Sequence, residues 1–300
     1  MYALTLIETK YGGIKLDKTL QKLVKKLVRE NVTSSSQSMT KKSNKINKMN
    51  RGEKNVPVDA ERFNSIFERL SKVDTSALCD AEKGFSEKSS SHYKQLKVMD
   101  PYIKPQNLQI LTNKGVEYAR LLGIARTVQL TQPNDFLAMI RGLDESECGD
   151  VLVVNTLNSN RAVAGGLFAR EAMRKNLGGI VIDGPMRDMQ SIRTTNLLCF
   201  SSSVTPYSGT VQSIGETQVP IQCGGIEVIP GELVVGDADG VIVGSIETFE
   251  SIIDGAEHIV QAESKLMSGM EQGQSLVSMT NYVEHFMARK EGKDSTLEFR

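Results

Sequence analysis

The chain lacks paired cysteines, clustered histidines and long apolar runs, and each absence removes a class of function. Cys79, Cys148, Cys199 and Cys223 show no Cys-x-x-Cys spacing, which excludes a thioredoxin-type motif and argues against a zinc site. His92, His258 and His285 stand far apart in the sequence, and none sits in a context resembling a Ser/His/Asp triad. Ser201, Ser202 and Ser203 offer hydroxyls without an accompanying base. No apolar run approaches the roughly 20 residues that span a bilayer as a helix, so no membrane span is expected. The apolar opening ends at Glu8 and Lys10, too soon for a secretory signal. A cytoplasmic chain with reduced thiols is therefore the expectation. Neither a GxGxxG fingerprint nor a Walker loop occurs, and there is no internal repeat.

Overall charge is balanced, but its distribution is uneven. Residues 1–56 carry 13 Lys/Arg against 4 Asp/Glu, leaving residues 57–300 with a net charge of −9. Residues 14–28 place Leu16, Leu20, Leu23, Val24 and Leu27 among lysines, the pattern of a short basic helix. Residues 31–56 are rich in Ser, Asn, Lys and Thr and hold almost nothing apolar, as linkers do. A largely disordered basic leader is expected over residues 1–56. Such an arm could meet nucleic acid, an acidic membrane surface or the body itself, and organellar targeting stays open. A folded body is expected over residues 57–280, with a charged, loosely held tail over residues 281–300.

Within the body, Phe63, Ile66, Phe67, Leu70 and Val73 fall on one helical face, and Thr75 can open a second helix. From about residue 125 the periodicity becomes strand-like. Residues 151–155 read as a buried strand. Gly165 and Gly166 then open a helix that Gly178 and Gly179 close. Residues 180–182 form the next strand, closed by Asp183-Gly184-Pro185. Strand, helix, strand implies a parallel pair with a right-handed crossover. Short strands follow at residues 211–213, 219–221, 226–228, 233–235 and 241–243, with Asp237 and Asp239 as turn formers. Residues 246–267 form a final helix. The mixture predicts an α/β domain with two sheets plus helices, not a doubly wound sheet.

Two loops carry candidate chemistry. The turn Gly165-Gly166-Leu167-Phe168 presents free backbone amides and a helix dipole to an anion. Gly184-Pro185-Met186-Arg187-Asp188 follows the next strand, at the sheet edge where ligands bind. Arg187 offers a permanently charged planar fork for a carboxylate, and Asp188 a hard oxygen ligand for Mg²⁺. A single crossover brings both loops to one sheet edge. Arg187 with a metal near Asp188 could stabilise the enolate of a 2-oxo acid.

These segments, taken jointly, resemble the RraA-like family of 4-hydroxy-4-methyl-2-oxoglutarate aldolases and regulators of ribonuclease activity A. In that family an Asp or Gly is followed by 20 residues and then Arg-Asp, and Gly166 with Arg187-Asp188 reproduces the spacing. The run from Pro230 to Val243, the late Gly273-Gln-Ser-Leu276 and the early Thr75-Ser-Ala-Leu-Cys-Asp80 are similar to further family segments. The resemblance implies a swivelling β/β/α three-layer domain, assembled as a homotrimer or a hexamer. It implies cleavage of 4-hydroxy-4-methyl-2-oxoglutarate-type substrates to pyruvate, or decarboxylation of oxaloacetate, with Mg²⁺ or Mn²⁺. By the same resemblance Arg187 binds pyruvate and stabilises its enolate, Asp188 holds the metal through water, and the Leu167 and Phe168 amides receive the carboxylate. Glu263 matches a glutamate that a neighbouring subunit contributes. The alternative the resemblance offers is a non-catalytic regulator that binds a ribonuclease. A methyltransferase label attached to some of the family finds no glycine-rich loop here. Two departures stand out: Gly166 replaces the usual aspartate, and Ser191 stands where Gly-bearing members carry an acid. The loss of both carboxylates predicts weakened cation binding.

Overall fold

The apolar run at residues 151–154 forms the middle of a sheet that organises the whole domain. The computed structural model describes residues 60–86, 95–107, 109–112, 115–118 and 120–299. The expected basic leader and its helix lie outside the described residues.

In chain order the elements are α1 (Ala60–Leu70), α2 (Thr75–Ser86), β1 (Lys97–Val98), β2 (Lys104–Pro105), β3 (Gln109–Thr112), β4 (Gly115–Tyr118), β5 (Leu121–Gln129), α3 (Leu137–Glu145), β6 (Asp150–Asn155) and α4 (Gly166–Arg174). There follow β7 (Gly179–Met186), α5 (Met189–Ile192), β8 (Leu198–Val204), β9 (Glu216–Thr217), β10 (Ile221–Cys223), β11 (Ile226–Val228), β12 (Leu233–Gly236), β13 (Val241–Gly244), α6 (Ile246–Glu271) and α7 (Tyr282–Lys290).

Nine strands form the main sheet in the order β1-β13-β12-β5-β6-β7-β8-β2, with β9 pairing the far end of β5. β5, β6, β7 and β8 run parallel, and the outer strands are antiparallel. Side chains alternate across this sheet, as the pleat requires. Leu152, Val154, Ile180 and Ile182 point to α3, α4 and α5. Ile124, Leu233, Val235 and Ile242 point to α1, α2 and α6 on the same side. Val151, Val153, Val181 and Phe200 face the β10–β11 hairpin on the other side. Hairpin, sheet and helices make three layers, β/β/α.

Polar contacts fix the layers at chosen points. Arg62 pairs with Glu250, and Arg69 with Glu257 at 2.7 Å, clamping α1 to α6. Asp237 accepts hydrogen bonds from the Thr75 amide (2.8 Å) and hydroxyl (2.7 Å) at the start of α2. The Asp74 carboxylate accepts from the Ala77 amide at 2.7 Å, so Asp74, not Thr75, caps α2. The Asp237 turn is thus also a brace between the β12–β13 end and α2.

Several expectations are revised. β7 extends to Met186 through a register shift between Ile182 and Pro185, so Gly184 and Pro185 lie within the strand. Pro185 is tolerated there because the irregularity interrupts the ladder. Residues 211–213 form no strand. β8, whose polar Ser201, Ser202 and Ser203 hid it, pairs with β7 on both sides of that shift. The tail expected to be loosely held contains α7 and returns to form an isolated bridge between Thr280 and Phe299.

Candidate functional site

The site is built where β6 and β7 end. After β6 the chain turns and runs beside the end of β7, with Ala164 bridging Met186. The Val163 amide donates to the Pro185 carbonyl at 3.3 Å, and the Arg187 amide to the Ala164 carbonyl at 3.1 Å. Backbone pairing, rather than side-chain packing, therefore brings the two candidate loops together.

Glycine at both positions that open α4 lets the two loops pack closely. A Cβ on Gly165 would come within 2.5 Å of Asp188 Oδ2 and 2.9 Å of Arg187 Cγ. A Cβ on Gly166 would lie 2.6 Å from Ser191 Oγ and 2.7 Å from Ser191 Cβ. The chain can approach this closely only without side chains.

Asp188 takes the left-handed conformation, φ +60°, at the start of α5, a region Asp tolerates better than most residues. Its side chain makes no cap bond to α5. It turns back instead, and Oδ2 accepts the Gly166 amide at 3.1 Å. Arg187 Nε lies 3.7 Å from that same oxygen. One carboxylate oxygen thus ties the guanidinium to the first amide of α4. Both side chains keep access to solvent, with 39% of Arg187 and 46% of Asp188 exposed. The first helical bond of α4 runs from the Ala169 amide to the Gly165 carbonyl at 3.1 Å. The Leu167 and Phe168 amides precede it and have no acceptor among the described residues, as is usual for a helix's first turn. The Phe168 ring packs edge-on against Phe136, centroids 5.9 Å apart, and fixes this turn against α3. Leu167 is exposed.

Gly166, Leu167, Phe168, Arg187 and Asp188, picked from the sequence, therefore share one small surface. Glu263 does not join them within the chain. It lies exposed on α6, whose partners are α1 and α2 at the opposite end of the helical layer. Among the described residues no group of three His, Cys, Asp or Glu side chains could hold a metal ion. Asp188 is the one carboxylate of the two loops, with Oδ2 engaged and its other oxygen open to water. That donor set suits a cation held mainly by water, not one chelated by protein.

Sequence reading missed two features. Arg170, one turn along α4, donates from Nε to Ser191 Oγ at 3.4 Å. The loop after β8 forms the rim: the Ala162 amide donates to the Tyr207 carbonyl at 2.8 Å, and Arg161 lies 5.9 Å from the Tyr207 ring centre. The Gly166–Arg170 spacing of one helical turn was the available signal for the first. Nothing in the sequence marks the second.

A three-layer β/β/α domain with amides and an arginine meeting at its parallel strand ends defines the class. A model of the RraA-like family, described as Aldolase/RraA, matches residues 75–243. The chain belongs to that family. A putative 4-hydroxy-4-methyl-2-oxoglutarate aldolase of Halalkalibacterium halodurans is 33% identical over 172 residues, covering 57% of this chain and 72% of that one. A 4-hydroxy-4-methyl-2-oxoglutarate aldolase of Thermus thermophilus is 32% identical over 126 residues, 42% of this chain and 76% of the relative. Among solved structures, an unusual member of the RNase ES inhibitor RraA protein family from Streptomyces coelicolor aligns with a TM-score of 0.55 at 25% identity, covering 68% and 96% of the two chains. An uncharacterized protein from Pseudomonas syringae aligns at 0.58 and 25% identity, over 72% and 96%. The RraA-like fold expected from the sequence is the fold observed.

Proposed function

We propose that the chain is a 2-oxo acid carbon–carbon lyase that releases pyruvate from 4-hydroxy-4-methyl-2-oxoglutarate-type substrates or decarboxylates oxaloacetate. One observation carries the reading: Arg187 and the Gly166 amide converge on a single oxygen of Asp188, with the Leu167 and Phe168 amides free beside them. The amides would take the substrate carboxylate, and the guanidinium would lie over the 2-oxo oxygen. In cleavage, the C4 hydroxyl gives its proton to water and the C3–C4 bond breaks to leave a C4 carbonyl. The bond's electron pair becomes the pyruvate enolate, and C3 then takes a proton back from water. In decarboxylation the same bond breaks with loss of CO₂. Arg187 lowers the barrier by stabilising negative charge where it develops. Asp188 holds Arg187 and the helix start in register.

A Mg²⁺ or Mn²⁺ ion, held beside Asp188 largely by water, would add charge stabilisation to the enolate when bound. A homotrimer or hexamer would let Glu263 of a second copy complete the site. The aldolase names of the Halalkalibacterium and Thermus relatives support the class of reaction. The test is pyruvate release from both substrates, with Mg²⁺ or Mn²⁺ present. Arg187→Ala is expected to lower kcat/KM by about 100-fold or more. Unchanged turnover in that variant removes the proposal.

A second reading is a non-catalytic regulator that binds a ribonuclease. The net charge of −9 over residues 57–300 favours it, since an acidic surface suits a basic, RNA-binding partner. Salt-sensitive binding to a ribonuclease without turnover of any 2-oxo acid would select it.

A further inference from the structure

Arg170 is a cation beside the site whose charge the lyase reading leaves without a role. It lies four residues after Gly166, one turn along α4, on the same face. Helical side chains lean toward the N-terminus, so Arg170 covers the turn that Gly166 leaves bare. Its Nε is anchored by the Ser191 hydroxyl at 3.4 Å. That same hydroxyl lies 2.6 Å from the point a Gly166 Cβ would occupy. Arg174, one turn further on, is paired with Glu171 at 2.5 Å. Arg170 has no such carboxylate among the described residues, and its side chain is exposed.

We infer that Arg170 determines specificity for dianionic substrates by binding their distal carboxylate. The inference rests on the lyase reading of the Arg187 site. Arg170 Nε lies 3.4 Å from Ser191 Oγ, which is itself 2.6 Å from the Gly166 Cβ position, and the terminal carbons of an extended five-carbon diacid lie about 5 Å apart. A 2-oxo diacid with its first carboxylate on the α4 amides therefore reaches Arg170 with its second. The two departures in the loops then act together. Gly166 leaves room for Ser191, and the Ser191 hydroxyl holds a guanidinium beside it instead of adding a carboxylate. Charge at this corner is turned from cation-binding toward anion-binding. A monoanion such as pyruvate would meet Arg187 and the amides but not Arg170.

The test is equilibrium binding of 2-oxoglutarate and of pyruvate to the full chain and to Arg170→Ala and Arg170→Lys. The unmodified chain should bind 2-oxoglutarate roughly three- to fivefold more tightly than pyruvate, the size of one screened charge contact. Arg170→Ala should lose that preference with pyruvate affinity unchanged, and Arg170→Lys should keep part of it. Equal affinity for the two anions in the unmodified chain overturns the inference, as does a preference that survives Arg170→Ala. In both cases pyruvate still binds and the lyase reading stands. Binding of neither anion, with Arg187→Ala no different from the unmodified chain, defeats the lyase reading and this inference together.

Discussion

Asp188 shows how much one residue can fix. Its left-handed backbone begins α5, and its carboxylate reaches back to the Gly166 amide. The site depends equally on what is missing at Gly166. Because an added Cβ would run into Ser191, Gly166→Asp should destabilise the fold by about 1–3 kcal/mol, the usual cost of overpacking. Gly166→Asp with Ser191→Gly should recover most of that loss in urea denaturation. A stable Gly166→Asp single variant would show that the two positions do not share one space. Positions 166, 187 and 188 were legible in the sequence because a glycine-led turn and an Arg-Asp pair sit at fixed separation after two successive strands. Arg170 was not, because its role depends on how α4 faces α5, which no spacing along the chain specifies. A buried ion pair carries weight elsewhere. Arg126 and Asp150 form an ion pair at 3.3 Å with side chains 7% and 2% exposed. Asp150→Ala should cost about 1–3 kcal/mol, since it removes the buried contact to a guanidinium that Glu145 and Glu147 still attract. A loss below about 1 kcal/mol in the same denaturation experiment would contradict that assignment.

At the scale of elements, the rim loop after β8 is tied down by Asp135 at the entrance to α3. Its carboxylate accepts the Gln212 amide at 2.6 Å, the Thr210 hydroxyl at 2.7 Å and the Leu137 amide at 3.1 Å. Burial alone would raise its pKa, but these hydrogen bonds outweigh burial and hold it below the ordinary aspartate value. A depressed folded pKa contributes stability above the unfolded pKa, and that contribution disappears as pH falls through the folded value. Asp135→Asn should therefore cost stability at neutral pH, and the difference from the unmodified chain should shrink below about pH 4. A difference independent of pH would contradict the assignment. The central elements could be read from sequence because apolar runs such as residues 151–154 and the glycine-bounded α4 leave little choice. β8 escaped because Ser201, Ser202 and Ser203 mask a strand whose apolar residues, Leu198, Cys199 and Phe200, are crowded at one end. The extension of β7 escaped because Gly184-Pro185 reads as a turn, and only the register shift against β8 lets it remain a strand.

Among the described residues, the nine-stranded sheet carries α1 to α6 on one side and the β10–β11 hairpin on the other. That arrangement leaves the ends of β6 and β7 open at the edge. No described helix is long and apolar enough to cross a membrane. With a single carboxylate at the strand ends, divalent cations should act only at roughly millimolar concentration, since affinity follows the number and charge of protein ligands. Saturation of pyruvate release at micromolar Mn²⁺ would point to carboxylates from a second copy. In the proposed reaction, the α4 amides hold the carboxylate and Arg187 the 2-oxo oxygen of one small substrate. Oxalate, which imitates the pyruvate enolate, tests this most directly in a calorimetric titration of the full chain, of Arg187→Ala, and of Arg193→Ala as a control at the exposed arginine that follows α5. The account predicts saturable binding that Arg187→Ala abolishes and Arg193→Ala preserves. Equal affinity in all three proteins would contradict it.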